Sequence, residues 1–365
     1  MAIAILRVNV KSRFLCAAVI SMGCGMAGAF ADEQSAHVSA EGDTSPGVIR
    51  VTHAAMGTEF EFTLFARPDD ADTAAIAAIA DEAFRAIDDL ERRISSWLSD
   101  SQTTYVNNHA AESPVRAGAD LLDLIQIAKR IHERTAGAFD CTVGPVMKLY
   151  GFYDAKVGTP GDAELERARF LVGMDRVSVD LEAGTVSFAR EGVRLDFGAI
   201  GKGLALDRSV EILKRRGVEH ALLLAGTSTV FAMGDSGWKV RIRHPYNDRE
   251  PIASVVLRNE SLSTSGCYGG RLEIEAVAIC NVIDPRTALP VEETLSATAI
   301  TATATESDAL STAFLVLGLD GTRRYCEENR GVRAIIVPAT ESSEPYAHWI
   351  AFNEQREISE HANRP

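Results

Sequence analysis

Five successive segments with strand-like sequence, without a helical pattern between them, constrain the fold of this chain most. They cover residues 221–225, 240–242, 254–257, 271–279 and 295–303. A doubly wound fold alternates strands with helices, so an unbroken series of strands argues against it. Strands in groups, interrupted by a few helices, favour an α+β fold.

Four segments carry the periodicity of amphipathic helices, with apolar residues repeating at spacings of three and four. The predicted helices cover 73–94, 119–134, 202–216 and 307–317. Gly137, Gly217 and Gly318 stand where the last three of these helices should end. The remaining predicted strands are 59–65, the two arms of a hairpin at 177–179 and 185–188, 194–198, and 333–337.

The first 31 residues have the composition of an export signal. Three basic residues precede an apolar stretch at 14–25, which is too short to cross a bilayer as a permanent helix. Ala29 and Ala31 then supply small residues at the two positions that a signal peptidase reads. The sequence therefore predicts an exported, periplasmic protein. Cys24 leaves a second form open, a lipoprotein of the inner membrane that faces the periplasm.

The rest of the chain is predicted to form one domain at 48–350, between a flexible leader at 32–47 and a polar tail at 351–365 that we expect to be disordered. The formal net charge of the chain is −14. A nucleic-acid surface needs clustered Lys and Arg, so this charge balance argues against one.

Four cysteines lie outside the signal, namely Cys141, Cys267, Cys280 and Cys326. They form no CxxC pair, so neither a zinc ribbon nor a thioredoxin-like site is indicated. An oxidising compartment permits disulfides, but the spacing does not choose among the possible pairings. We favour free, buried thiols.

A glycine-rich turn at 195–203 joins the predicted strand 194–198 to the helix that follows. Backbone amides at such a junction can face an anion. Lys202 lies in the first helical turn, where the helix dipole disfavours a cation unless a negative group is near, and a phosphate would be such a group. The spacing fits neither a Walker loop nor a dinucleotide fingerprint, and a plain tight turn explains it equally well.

Asp308 and Thr312 are four residues apart, so they share one face of the predicted helix. A carboxylate and a hydroxyl on so apolar a helix need a polar partner, and such oxygen ligands suit magnesium or calcium. From these residues alone we favour helix capping instead. Ser307 or Asp308 would then be the N-cap, and Thr312 would bond back to a carbonyl.

Two further polar segments have simple structural explanations. Asp284-Pro285-Arg286-Thr287 is a turn sequence, since proline fixes φ and aspartate accepts local amide hydrogen bonds. Residues 261–266 read as a hydroxyl-rich loop, which could hold a ligand or simply bond to itself.

Taken in chain order, these segments resemble the motifs of the ApbE family, the FAD:protein FMN transferases, across nearly the whole mature chain. Seven modest motifs in the family's order are not expected by chance. The matching segments are Met56 to Thr58, Ile94 to Trp97 with Ser101 and Asn107, Gly137 to Asp140 with Val143 to Pro145, Asp196 to Gly203 with Asp207, Ser263 to Gly266, Ile283 to Thr287, and Asp308 to Thr312.

The resemblance implies a T-fold-like α+β architecture with two sheet-and-helix lobes and FAD in the cleft between them. It implies that Met56 and Trp97 flank the flavin. It also implies that the rest of the FAD site is lined by Ala138, Phe139, Asp140, Asp196, Lys202 and Ile283. Mg²⁺ would be held by the side chains of Asp308 and Thr312 and by the backbone carbonyl of Ala199.

The implied reaction transfers FMN from FAD to a threonine of an exported or membrane target protein and releases AMP. In the family a histidine precedes the Ile-x-Asp-Pro-Arg-Thr turn and is the candidate base, but this chain has Asn281 there. An amide does not accept a proton at neutral pH. Ala288 also replaces a glycine, which disfavours a positive φ. A transferase, and an FAD-binding protein or slow FAD hydrolase that has lost transfer, therefore both remain open.

Overall fold

The computed structural model describes residues 38–40, 48–65, 73–153, 160–247, 250–267, 271–274, 277–339 and 345–352. The predicted signal peptide, Cys24 and most of the predicted leader and tail lie outside the described residues. None of the described helices combines the length and the apolar character that a membrane span requires.

The helices are α1 (Thr73–Ile94), α2 (Gln102–His109), α3 (Ala119–Arg134), α4 (Gly144–Leu149), α5 (Asp162–Arg169), α6 (Gly201–Arg215) and α7 (Ala304–Glu328). The strands are β1 (Val38–Ala40), β2 (Val48–Ala55), β3 (Thr58–Phe65), β4 (Val115–Arg116), β5 (Val177–Asp180), β6 (Thr185–Phe188), β7 (Ala221–Ala225), β8 (Thr229–Met233), β9 (Trp238–Arg243), β10 (Pro251–Leu257), β11 (Glu260–Gly266), β12 (Arg271–Ile274), β13 (Val277–Cys280), β14 (Ile283–Asp284), β15 (Leu289–Pro290), β16 (Thr294–Thr301), β17 (Arg333–Pro338) and β18 (His348–Ile350). The mixture confirms the α+β class.

An eight-stranded antiparallel sheet is the centre of the fold, in the order β18-β17-β16-β11-β8-β7-β3-β2. Side chains alternate between its two faces, as strand geometry requires. Leu223 and Phe231 pack in the cluster that includes α1, α6 and α7, whereas Leu222 and Val230 pack against β9 and β10 on the other side. The three helices therefore cover one face of the sheet and the β1-β9-β10 sheet covers the other.

A smaller three-stranded sheet, β4-β6-β5, lies with α3 beside this assembly. Val177 and Val186 of the small sheet belong to the same buried cluster as Leu223 of the large one. The two parts thus share one continuous hydrophobic core.

Several local predictions were correct because their periodicity was unambiguous. Helix α3 has the predicted bounds, α1 covers the predicted apolar positions from Ile76 to Ile94, and β5 and β6 form the predicted hairpin. Others were wrong. The segment 194–198 is not a strand, and 271–279 contains two paired strands, β12 and β13, rather than one.

The ends of the domain also differ from expectation. Strand β1, within the leader predicted to be flexible, pairs with β9, and β18 adds a strand after the predicted last one. Helix α7 begins at Ala304, three residues before the predicted start. Gly318 interrupts it with a φ of 65°, and a second helical stretch then continues to Glu328. The predicted break at Gly318 is therefore a kink and not the end.

The cysteine prediction was right for one pair and wrong for the other. Cys141 and Cys326 are free and buried, but Cys267 and Cys280 form a disulfide. Their Cα atoms are 4.7 Å apart, within the usual range for a disulfide. The spacing could not reveal this pair, because the β12–β13 hairpin between them brings the two cysteines together.

Candidate functional site

Several of the sequence motifs converge at one end of the large sheet. The strand register places Phe60, Ala225, Thr229 and Ser263 in one row across β3, β7, β8 and β11. The Met56–Gly57 turn and the turn after Ala225 lie beyond this row in the same direction. This sheet end is therefore where the motifs meet.

Met56 has a φ of 52° and Gly57 a φ of 71°. They form the two-residue link between β2 and β3, for which positive φ at both positions matches the twist of the strands. Asn or Gly usually fills the first position, and a methionine there carries backbone strain. Such strain is often retained at functional sites.

Strand β11 presents every second side chain to α7. Ser261 Oγ is 2.8 Å from Ser307 Oγ, and Ser265 Oγ is 2.8 Å from Ser311 Oγ and 3.1 Å from Thr312 Oγ1. Every second residue of a strand points to the same face, and residues one turn apart on a helix share a face, so successive serines of β11 can meet successive turns of α7. The predicted hydroxyl-rich loop at 261–266 is thus a strand, and its hydroxyls form a polar seam under α7.

Asp308 is at the centre of this seam and is only 4 % exposed. Its Oδ2 accepts a hydrogen bond from the Gly203 amide at 3.0 Å. Its Oδ1 accepts one from Thr229 Oγ1 at 3.0 Å and a longer one from Ser263 Oγ at 3.4 Å. Lys202 Nζ lies 4.0 Å from the same Oδ1.

The capping explanation favoured from the sequence is wrong for Asp308. Thr303 is the N-cap of α7, with its side chain accepting from the Glu306 amide, so Asp308 lies in the second turn. Through Gly203, Asp308 instead satisfies an amide in the first turn of α6, which has no acceptor inside its own helix. Thr312 interacts with Ser265 rather than serving as a cap.

Asp207 of α6 has the reciprocal role. Its carboxylate accepts from the Ala304 amide at 2.7 Å, and from the Thr305 amide and hydroxyl at 2.8 and 2.5 Å. Burial raises its pKa, although these hydrogen bonds oppose the shift. Each of the two helices thus supplies a carboxylate to the start of the other.

The glycine-rich turn connects Asp308 to Asp196. Lys202 Nζ is 3.4 Å from the Gly198 carbonyl, and the Gly198 amide donates to Asp196 Oδ1 at 2.8 Å. Ala199 is the residue after Gly198 and belongs to the same turn. Contacts through Gly198 and Lys202 therefore connect Asp196 to Asp308, and Ala199 lies in the turn between them.

Asp196 is connected to Trp97 through the side chain of Tyr153. Its Oδ2 accepts from Ser96 Oγ at 2.8 Å and from the Tyr153 hydroxyl at 2.7 Å. The Tyr153 ring lies 4.9 Å from the Trp97 ring, centroid to centroid. Trp97 itself is 66 % exposed, unusually high for a tryptophan, so its ring offers a free aromatic surface beside the charged turn.

The predicted residues Ala138, Phe139 and Asp140 are buried rather than open to solvent. Asp140 Oδ2 is 3.1 Å from His132 Nδ1, and Oδ1 accepts from the Thr142 amide at 2.7 Å. The hydrogen bond to Asp140 raises the pKa of His132 above its usual value. The described contacts of the Asp140 side chain are therefore with the protein itself.

Ile283 is also buried, in a small cluster with Val146 and Tyr150. The turn that follows it lies close to Gly137, since a β-carbon there would be 3.7 Å from Arg286 Cγ. Arg286 pairs with Asp284 at 2.8 Å. The turn after Ile283 thus lies beside the segment that leads into residues 138–140, and the Ile283 side chain packs in the small cluster with Val146 and Tyr150.

Asn281 is exposed and follows directly on the disulfide-bonded Cys280. Ala288 is fully buried and adopts a φ of 62°, so it has the positive φ that alanine was expected to disfavour. A non-glycine residue in this conformation carries a strain of about 1 kcal/mol or more.

Three contributors were missed from the sequence. Tyr153 gave no signal, because it lies in a segment without periodicity. Thr227 and Thr229 belong to three successive hydroxyl residues at 227–229, shortly after Ala225. Such a cluster is a sequence signal for hydrogen bonding to a ligand. Thr227 Oγ1 is buried and has no hydrogen-bond partner among the described residues, which is uncommon for a buried hydroxyl.

Comparisons with known proteins agree with this arrangement. The FAD:protein FMN transferase of Klebsiella pneumoniae is 26 % identical over 350 residues, which cover 93 % of this chain and 95 % of that protein. The protein of the same name from Treponema pallidum is 30 % identical over 285 residues, covering 72 % and 78 %.

Solved structures show the same fold. The ApbE protein of Thermotoga maritima superposes with a TM-score of 0.74 at 26 % identity, covering 83 % of this chain and 97 % of its own. The flavin transferase ApbE of Vibrio cholerae gives 0.73 at 22 % identity with the same coverage. A sequence model of the ApbE family matches residues 56–336. This chain therefore belongs to the ApbE family.

Proposed function

We propose that this chain transfers FMN from FAD to a threonine of a target protein, in a magnesium-dependent reaction that releases AMP. The contacts running from Trp97 through Asp196 and Lys202 to Asp308 carry the proposal. They combine a free aromatic ring, a cationic helix start and a buried carboxylate. These suit a flavin ring, a pyrophosphate and a metal ion.

The oxygen-rich surroundings of Asp308 fit a hard cation. Asp308, the Thr312 hydroxyl and the Ala199 carbonyl would hold Mg²⁺. Within the described ranges, no group of three or more His, Cys, Asp and Glu side chains could hold a metal. Such a sparse set suits Mg²⁺, which commonly completes its shell with substrate phosphates and water. When bound, Mg²⁺ would neutralise phosphate oxygens in the transition state.

The chain's own residues would bind and orient FAD. At the start of α6, Lys202 would offer its ammonium to the pyrophosphate, at a helix end whose dipole favours an anion. The unpartnered Thr227 hydroxyl would donate to a ligand oxygen. Trp97 would stack on the flavin and Met56 would line its other side. Loss of any one of these contacts should weaken FAD binding.

The transfer exchanges one phosphorus–oxygen bond for another. The threonine oxygen of the target would attack the FMN phosphorus of FAD, and the bond from that phosphorus to the bridging oxygen would break, so that AMP leaves with that oxygen. The hydroxyl proton of the threonine would pass to AMP or to the surrounding water, and the flavin would become linked to the target through a phosphodiester. Such reactions depend mostly on positioning and charge neutralisation. Lys202 would supply charge neutralisation, and the turn that holds it would supply positioning.

A second candidate function is favoured by Asn281. It occupies the position at which the resemblance to the family implies a histidine, and an amide supplies no base. General-base help is typically worth about 100- to 10,000-fold, so its absence would slow transfer. The second candidate is an FAD-binding protein or a slow FAD hydrolase.

We also propose that the protein acts outside the cytoplasm, in the periplasm, on exported or membrane-bound targets. The signal-like residues 1–31 support this proposal. Mass spectrometry of the mature N-terminus distinguishes cleavage before Asp32 from a lipid-modified Cys24. An uncleaved N-terminus would refute both forms.

The test is an incubation of the mature protein with FAD, Mg²⁺ and a threonine-bearing target domain. Transfer predicts an FMN mass shift on the target together with an equal amount of AMP. Bound FAD without either product would refute the transferase. AMP and free FMN without labelled target would identify the hydrolase.

Asp308→Asn tests the metal assignment with the least structural change. The amide oxygen still accepts from the Gly203 amide, but the negative charge at Oδ1 is lost. We expect Mg²⁺-dependent turnover to disappear while the protein stays folded. Asp320→Asn is the matched control, because Asp320 lies on the same helix with a side chain that is 82 % exposed. Equal activity of the two variants would refute the assignment.

A further inference from the structure

The Cys267–Cys280 disulfide lies at the sheet end that carries the candidate site. Cys267 directly follows β11, and its amide donates to the Leu295 carbonyl at 2.9 Å. Two residues earlier, Ser265 contacts Thr312 at 3.1 Å. Cys280 ends β13 and immediately precedes Asn281. The disulfide thus joins the Thr312 side of the site to the segment that carries Asn281.

Asn281 is fixed on both sides through this link. The Val282 amide donates to Cys280 Sγ at 3.4 Å, so the disulfide sulfur of the residue before Asn281 also holds the residue after it. The Val282 carbonyl accepts from the Val291 amide at 3.0 Å, and Ile283 is buried. The exposed Asn281 side chain therefore projects from a backbone whose neighbours are both held.

The strands on either side of Asn281 lie in two-stranded ribbons. Among the described residues, β12 and β13 pair only with each other, and so do β14 and β15. Two-stranded ribbons are marginally stable in water by themselves. The β14–β15 ribbon is also held by Ile283 and Ala288, which pack in the cluster around Val146 and Tyr150. The disulfide adds a covalent cross-link from the end of β13 to the residue after β11, beyond the main-chain connections.

We propose that Cys267 and Cys280 are positioning residues, whose disulfide holds the Asn281 segment against the phosphate and metal end of the site. The proposal rests on the proposed function. The disulfide orders the place where the target threonine and the FMN phosphorus would meet. FAD binding residues such as Lys202 and Trp97 lie on other elements and do not depend on it.

The kinetic test compares the oxidised protein with the Cys267→Ser/Cys280→Ser variant and with protein treated with dithiothreitol. A misplacement of about 1 Å near the chemistry costs up to ~100-fold in rate. We expect kcat for FMN transfer to fall roughly 10- to 100-fold, with the Kd for FAD nearly unchanged. Dithiothreitol should have no further effect on the variant, which controls for other actions of the reductant. An unchanged kcat, or parallel losses in kcat and FAD binding, would overturn the proposal.

Hydrogen exchange gives a second test that needs no catalysis. Loss of the disulfide should speed exchange of the Val282 amide and its neighbours, while the amides of α7 around Asp308 stay protected. Equal protection at Val282 with and without the disulfide would overturn the proposal. If the oxidised protein releases no AMP at all, the proposed function fails, and the exchange experiment still decides whether the disulfide positions Asn281.

Discussion

Replacing Gly203 by alanine should damage both the core and the site, because α6 and α7 cross at this residue. A β-carbon on Gly203 would lie 2.1 Å from the Ala304 carbonyl oxygen and 2.7 Å from Thr305 Cα. These are backbone atoms in the first turn of α7, so no side chain can rotate away. The helices must separate instead.

The size of the effect follows from three opposing contributions. Overpacking a buried contact costs about 1–3 kcal/mol. Weakening the hydrogen bond from the Gly203 amide to the Asp308 carboxylate costs about 1.5–3 kcal/mol. Alanine in a helix recovers about 1 kcal/mol relative to glycine. The variant should therefore lose on the order of 3 kcal/mol in free energy of unfolding.

Urea denaturation measures this loss, and FAD turnover measures the displacement of Asp308. The matched control is Gly201→Ala, two residues earlier in α6. There a β-carbon would meet only the tip of the Ile94 side chain, at 3.1 Å, and that side chain can move. We expect the control to lose far less stability than Gly203→Ala, because the Ile94 tip can move and alanine recovers about 1 kcal/mol relative to glycine in a helix. Equal stability of the two variants would show that the helices do not cross this closely.

Three further predictions concern other parts of the site. Asn281→His should raise turnover by roughly 100-fold if it restores a base, and no gain would mean that residue 281 does not face the threonine proton. Loss of the disulfide through Cys267→Ser/Cys280→Ser should lower the free energy of unfolding by about 3 kcal/mol, because the cross-link closes a short loop in the unfolded chain. Calorimetry of the parent and the double variant measures this loss. The raised pKa of His132 means that its pair with Asp140 stabilises the fold fully below pH 6.5 and loses this effect as the pH rises through the folded-state value. The corresponding decline in stability above pH 6.5 should be absent in His132→Gln, and an unchanged pH profile would contradict the ion pair.

The sequence was sufficient wherever one periodicity determined the structure. Helix α3 could be bounded because apolar residues recur along one face and Gly137 follows it, with a φ of 79°. Strand β11 was misread as a loop, because its small hydroxyl residues have low hydrophobicity. They are buried only because α7 supplies hydroxyls and a carboxylate opposite them.

The site was predicted in part. The order of the motifs was enough to group Asp196, Lys202 and Asp308. In the structure, backbone groups of Gly198 bond to Asp196 and Lys202, and the Gly203 amide bonds to Asp308. Tyr153 and the disulfide could not be predicted, since both depend on contacts between distant segments. The capping hypothesis for Asp308 failed for the same reason: its amide partner belongs to another helix.

Reciprocal carboxylates join the two crossing helices α6 and α7. Asp207 satisfies the first amides of α7, and Asp308 satisfies the Gly203 amide in the first turn of α6. Each contact fixes the start of one helix relative to the other. Oδ2 of Asp308 therefore accepts from a backbone amide, whereas Oδ1 accepts from the Thr229 hydroxyl and lies 4.0 Å from the Lys202 ammonium, two side-chain groups that can move. A ligand that binds at Oδ1 meets a carboxylate already held in place, so little conformational freedom is lost on binding.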